Sequence, residues 1–150
     1  ISFALGIPLV GIDGIQTLVD EYRHSEQTVA VALLNAFSQD VYFAIKSSSH
    51  AIASGSKNIA VLQQDIKQAH SSHTPITFLG NGALIHEKTI IKEIPHAVIG
   101  VVEDSFLHCS LNALAQSGFE KWQKKEHTSR QLQPIYLKNT IYNNLDISKQ

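Results

Sequence analysis

The side chains in this 150-residue chain most able to bind a metal or attack a substrate are its eight histidines and single cysteine, Cys109. His86 and Glu87 open like a zinc peptidase motif, which needs a second histidine four residues on so that both imidazoles share a helix face. Residue 90 is isoleucine, and the motif fails. His70 and His73 flank two serines in a stretch that reads as a helix-ending loop, without helical spacing or a nearby cysteine, and read as solvated loop histidines. Cys109 reads as a small buried hydrophobe within an amphipathic helix, with His108 turned to a different face. No G-x-S-x-G nucleophile turn occurs.

A carboxylate at the end of a central strand could hold a metal ion beside phosphates. The corresponding positions here are Asn35, Ala36 and Phe37, and Asn35 cannot act as an anionic ligand. The nearest acid, Asp40, reads as a turn residue. Gly80, Asn81 and Gly82 follow a strand and precede a helix, where backbone N–H groups could meet a phosphate. They are the candidate cofactor-binding residues, although the longer glycine pattern and the lysine of a phosphate loop are missing and a plain strand-to-helix turn explains them as well. In "KWQKKEHTSR", Trp122 lies among Lys121, Lys124, Lys125 and Arg130, a mixture able to touch RNA. Glu120 and Glu126 dilute it, and the plainer reading is a solvated helix that Trp122 anchors to the core. No residue set reads as catalytic or as a metal site.

These positions depend on elements that hydrophobic spacing predicts. "IPLVGI" (7–12) reads as a short buried strand that starts at a proline. Asp13 then caps a helix, with Gln16 placed for a capping box and Ile15, Leu18, Val19 and Tyr22 on one face. "QTVAVALLNA" (27–36) is apolar without alternation, which predicts a central strand covered on both faces. "DVYFAIKS" (40–47) follows through a tight antiparallel hairpin at "FSQ", and "HAIASG" adds a weak third strand. Ser56 is expected to cap a helix whose stripe is Ile59, Leu62, Ile66 and Ala69. Strands at 76–82 and 96–101 alternate with a short irregular helix ending near Thr89. A last helix is expected from a cap at Asp104 to a stop at Gly118. Residues 120–133 read as a short helix plus loop, residues 134–138 as an extended docking segment, and the last ten as loose.

The totals frame this pattern. A chain of 150 residues with 43% hydrophobic and 17% charged residues can bury a single core without disulfides or metal. A net charge of −1 offers no global attraction for nucleic acid or anionic membrane, so any RNA contact must be local. One cysteine fits a reducing compartment, and no apolar run is long enough to cross a bilayer. The chain holds no methionine and opens on Ile1, so further chain is expected before it. Three antiparallel strands followed by alternating helices and strands predict an α/β fold: a ribonuclease-H-like or actin-like (ASKHA) lobe with a mixed sheet and flanking helices. The strand and helix at 7–23 read as the end of a preceding copy of that unit.

In order and spacing, "ALGIPLVGIDGIQTL", "ALLNAFSQDVYFA", "ITFLGNGA" and "QPIYLKN" resemble the second half of the bacterial TsaB (YeaZ) family, over essentially the whole chain. That family is two-lobed and actin-like, and its first lobe carries an Asp-Thr strand and a G-P-G-S-F-T-G segment leading into a helix. Neither motif is present here, and the resemblance places Ala4, Leu5 and Gly6 in the last turn of that helix, as the candidate partner-binding residues. It implies that residues 1–25 are the end of a first lobe with its crossing helix and that residues 26–150 are a second lobe. Where the family has a D-A-R triplet, Asn35, Ala36 and Phe37 stand here, removing a charge pair. The function implied is that of a cytoplasmic, cofactor-free, non-catalytic scaffold in the complex that forms N6-threonylcarbamoyladenosine at position 37 of ANN-decoding tRNAs. Its partners would be a TsaD-type catalytic subunit and a TsaE-type ATPase, with tRNA engaged indirectly and a homodimer also compatible. The rival readings are an M22-type glycoprotease-like peptidase or nucleotide-binding protein, and a self-associating interaction domain unrelated to tRNA.

Overall fold

A computed structural model describes residues 7–22, 28–47, 50–101, 105–126 and 128–129. The described chain opens with a two-residue strand, β1 (Leu9–Val10), and an eight-residue helix, α1 (Gly14–Glu21). Asp13 caps α1 by accepting from the backbone N–H groups of Ile15 and Gln16 at 3.1 and 3.3 Å. The Gln16 side chain does not complete a capping box. Its amide donates instead to Ser54 Oγ at 3.1 Å, across to a strand of the main sheet.

That sheet has five strands. β2 (Val29–Asn35), β3 (Asp40–Ser47) and β4 (His50–Asn58) run antiparallel to one another in turn. Helix α2 (Ile59–Ala69) leads to β5 (Ile76–Leu79), which pairs parallel to β2. Two short helices, α3 (Asn81–Ile85) and α4 (Glu87–Glu93), lead to β6 (Ala97–Ile99), parallel to β5. The spatial order is β4-β3-β2-β5-β6. Helix α5 (Leu111–Gln123) follows, and β7 (Thr128–Ser129) pairs antiparallel with β1 in a separate two-stranded ribbon.

β2 is central because it is apolar on both faces. Val29, Val31 and Leu33 enter one core cluster with Ile59, Leu62 and Ile66 of α2, Ile76 and Phe78 of β5, and Ile90 and Ile94 from the α4 side. Ala30 and Ala32 turn the other way, with Ala44 and Leu79, beneath Ile15, Leu18 and Val19 of α1. Small alanines let the helix backbone approach the strands closely, and the Lys46–Asp20 ion pair at 2.7 Å ties α1 to β3. Both sheet faces are thus covered by helices, as the sequence pattern requires.

Several local expectations are corrected. The strand read as weak, β4, is nine residues long, and it runs through Ser56. The cap of α2 is therefore Asn58, whose side chain accepts from the N–H of Ala60 at 3.1 Å. The fourth member of the α2 stripe, Ala69, is exposed at the last helical residue, and Gln63 is buried in its place. The irregular helix continues past Thr89 to Glu93 as two segments. The last helix begins at Leu111, where the Ser110 hydroxyl accepts from the N–H of Ala113 at 3.0 Å, and it passes through Gly118. Gly118 sits in the helix interior over Ile12, with ordinary van der Waals room for a side chain. Asp104, the docking segment at 134–138 and the last ten residues lie outside the described residues. Among the described residues no helix is long and apolar enough to cross a membrane.

Candidate functional site

The carboxyl ends of β2 and β5 lie side by side, and there the Gly80–Asn81–Gly82 turn meets the β2–β3 hairpin. Gly80 adopts a φ of 86°, and a Cβ on it would fall 2.3 Å from the carbonyl oxygen of Leu33. A Cβ on Gly82 would fall 2.9 Å from the Leu33 backbone carbon and Cβ. Both glycines are therefore required by the closeness of the turn to β2. The Asn81 side chain accepts from the N–H of Asn35 at 3.0 Å, closing the end of β2 against α3. The Gly80 N–H donates to the Phe106 carbonyl at 2.8 Å. Packing accounts for all three residues, and the first turn of the five-residue α3 is its own small hydrogen-bonded unit.

The hairpin beside it is held in an unusual conformation. Phe37, Ser38 and Gln39 all have positive φ, at 61°, 54° and 66°, although none is glycine or asparagine. Asn35 supports the turn by accepting from the N–H of Phe37 at 3.2 Å, and the N–H of Asp40 donates to the Phe37 carbonyl at 3.0 Å. Asp40 is thus the closing residue of a turn. Phe37 is left 76% exposed, a feature that composition did not signal.

The histidines separate. His73 is exposed, with Nδ1 at 3.4 Å from Ser72 Oγ. His70 caps the end of α2 through its backbone and lines a cavity of about 240 Å³ with Lys67, Ser72, Glu93 and His96, on an apolar floor of Ile76 and Ile94. His86 is buried at the junction of α3 and α4, and its Nε2 has no hydrogen-bond partner among the described residues. Burial pushes its pKa below the ordinary imidazole value, which favours the neutral ring. Gln63 Nε2 is the other buried side-chain nitrogen without a partner among the described residues. The described residues contain no group of three or more His, Cys, Asp or Glu able to hold a metal ion.

Cys109 lies before α5, not within it, half-buried against the α1 side of the core beside Gly14. Desolvation is the largest influence and raises its pKa, a backbone hydrogen bond at Cys109 opposes it, and the nearby carboxylates of Glu21 and Asp13 add smaller upward pushes. A raised thiol pKa suits the inert packing role that the sequence suggested. Ala4, Leu5 and Gly6 lie outside the described residues.

Trp122 overturns its expected role as a core anchor. It is 54% exposed at the end of α5, with its ring centroid 5.8 Å from that of Phe119, itself 53% exposed. The helix buries no residue completely, and its last turn is left to carry these rings on the surface. Pro8, Gln123 and Lys125 line a cavity of about 620 Å³ with Trp122. A positional signal for this lay in the sequence: apolar residues in the second half of α5 are sparse, so the helix lacks a continuous stripe to bury.

In comparisons with models of known protein families and with curated proteins, the chain matches none.

Proposed function

We propose that residues 26–150 form the second, ribonuclease-H-like lobe of an actin-like scaffold protein of the TsaB type. In this reading the protein is a non-catalytic subunit in the formation of N6-threonylcarbamoyladenosine on tRNA, and it acts by binding a TsaD-type catalytic subunit. The observation that supports the reading is the sheet itself: order β4-β3-β2-β5-β6, with β3 antiparallel to both its neighbours and β5 and β6 parallel to β2, is compatible with the mixed, helix-flanked sheet that the resemblance implies. The site geometry is compatible with it, because the positions where an actin-like lobe would place an acid are Asn35, Ala36 and Phe37, all engaged in a turn. A scaffold needs rigid layers and surface, and both sheet faces are covered here.

The test is capture. The protein, tagged and expressed in its native cell, is expected to co-purify a TsaD-type subunit, and its depletion is expected to lower the modified nucleoside in digests of total tRNA. Purification without that subunit, combined with unchanged nucleoside content after depletion, would overturn the proposal.

A further inference from the structure

The end of α5 presents two aromatic faces beside positive charge, and the reason is local. The helix stops in a Schellman arrangement: the N–H of Glu126 donates to the Lys121 carbonyl at 2.9 Å and that of Lys125 to the Trp122 carbonyl at 3.1 Å. The residue forced into the left-handed region is Lys125, at a φ of 55°, where glycine is the usual occupant. This places a lysine directly after the tryptophan turn, and both residues line the same cavity. Lys121 is committed elsewhere, its ammonium donating to the Gly11 carbonyl at 3.2 Å. Lys124 and Lys125 are exposed, and neither belongs to an ion pair among the described residues. Both nearby acids keep their charge, Glu120 while accepting from the neutral Gln116 amide at 2.6 Å, so Glu120 and Glu126 stand against Lys121, Lys124 and Lys125 and the end of the helix remains net positive.

We propose that the Phe119–Trp122 pair, with Lys124 and Lys125, is a platform on which an unpaired base of a single-stranded nucleic acid stacks, its flanking phosphates meeting the two lysines. An exposed tryptophan face accepts any base, and two ammonium groups within a few residues complement the adjoining phosphates. The wall formed by Pro8 gives the stacked base a second apolar boundary. A duplex keeps its bases stacked within the helix and cannot use such a surface. The inference goes beyond the scaffold reading, in which tRNA is engaged only through partners, and stands on this surface alone.

Trp122 is the sole tryptophan of the chain, so its fluorescence reads this position directly. The full chain is titrated with a short single-stranded oligoadenylate and with a blunt duplex of equal length. Saturable quenching is expected from the single strand and little from the duplex. The logarithm of the binding constant should fall with that of salt concentration with a slope of about −1.4, for two phosphates neutralised on a single strand. Followed by anisotropy of a labelled strand, Trp122→Ala is expected to weaken binding about ten-fold, and Trp122→Phe to retain most of it. The Lys124→Glu, Lys125→Glu double variant, with exposed side chains that need not disturb folding, is expected to lose the salt dependence along with the binding. Absent quenching, equal quenching by the duplex, or full quenching in the charge-reversed variant would overturn the proposal. None of these outcomes alters capture of a TsaD-type subunit, so the two readings fail separately.

Discussion

Two glycines next to helices make opposite demands on a side chain. At Gly80 the backbone is left-handed and a Cβ would meet the Leu33 carbonyl oxygen at 2.3 Å, so Gly80→Ala combines an unfavourable φ with a clash against the central strand. Chemical denaturation should show a loss of about 3 kcal/mol or more. Gly118 is in the interior of α5 with negative φ and its nearest neighbour, Ile12 Cδ1, 3.7 Å from where a Cβ would lie. There alanine relieves the entropic cost of glycine in a helix, and Gly118→Ala should gain about 0.5 to 1 kcal/mol in the same measurement. The sequence separates the two incompletely. "GNG" after an apolar strand signals a tight turn, but the identity of what crowds Gly80 depends on a strand more than forty residues earlier in the chain. Gly118 followed an apolar run and read as a stop, because the actual stop uses Lys125 in a conformation that residue type does not advertise.

Elements were legible where one periodicity acted alone. The apolar run of β2 dictated a central strand, and Asp13 with Ile15, Leu18 and Val19 dictated α1. The boundaries that shifted are those where competing local signals were equal: Ser56 and Asn58 are both competent caps, and only the pairing of β4 with β3 through Asn58 opposite Asp40 decides between them. The junction of α3 and α4 shows a different blind spot, since no spacing rule places His86 inside the core. Its buried, neutral-favouring ring has a pH consequence. In the unfolded chain the imidazole takes a proton near its ordinary pKa of 6.5, whereas the folded chain binds that proton only at lower pH. The unfolded state therefore holds more protons in that window, and stability falls as pH drops through and below about 6.5. Denaturant midpoints compared at neutral and mildly acidic pH should show this fall in the native chain and a smaller one in His86→Leu, which removes the titrating group from the junction. An equal fall in both would show that His86 does not carry the pH dependence.

At the scale of the whole molecule, burial is distributed unevenly, and the distribution predicts which parts open first. β2 donates side chains to both core clusters and is paired on each edge, by β3 and by β5. Exposing its amides requires loss of both helical layers and both neighbouring strands, which amounts to global unfolding. α5 contributes no fully buried residue, ends on exposed aromatic rings, and leans on α1 and on the two-residue strand β1. Its detachment leaves the five-stranded sheet and the α2 to α4 layer intact, so it costs only a fraction of the total stability. Native-state hydrogen exchange should accordingly show β2, β5 and the paired core of β3 exchanging at the global rate, with α5 amides exchanging through a local opening that denaturant accelerates only weakly. Binding of a single-stranded oligonucleotide at Trp122 would then slow exchange in α5 and, by the same factor, in the sheet amides that exchange through global unfolding, because both openings release the ligand. Slowing of the sheet amides with none in α5, or α5 amides as protected as those of β2 without any ligand, would contradict a molecule built as a rigid five-stranded body with a loosely seated terminal helix.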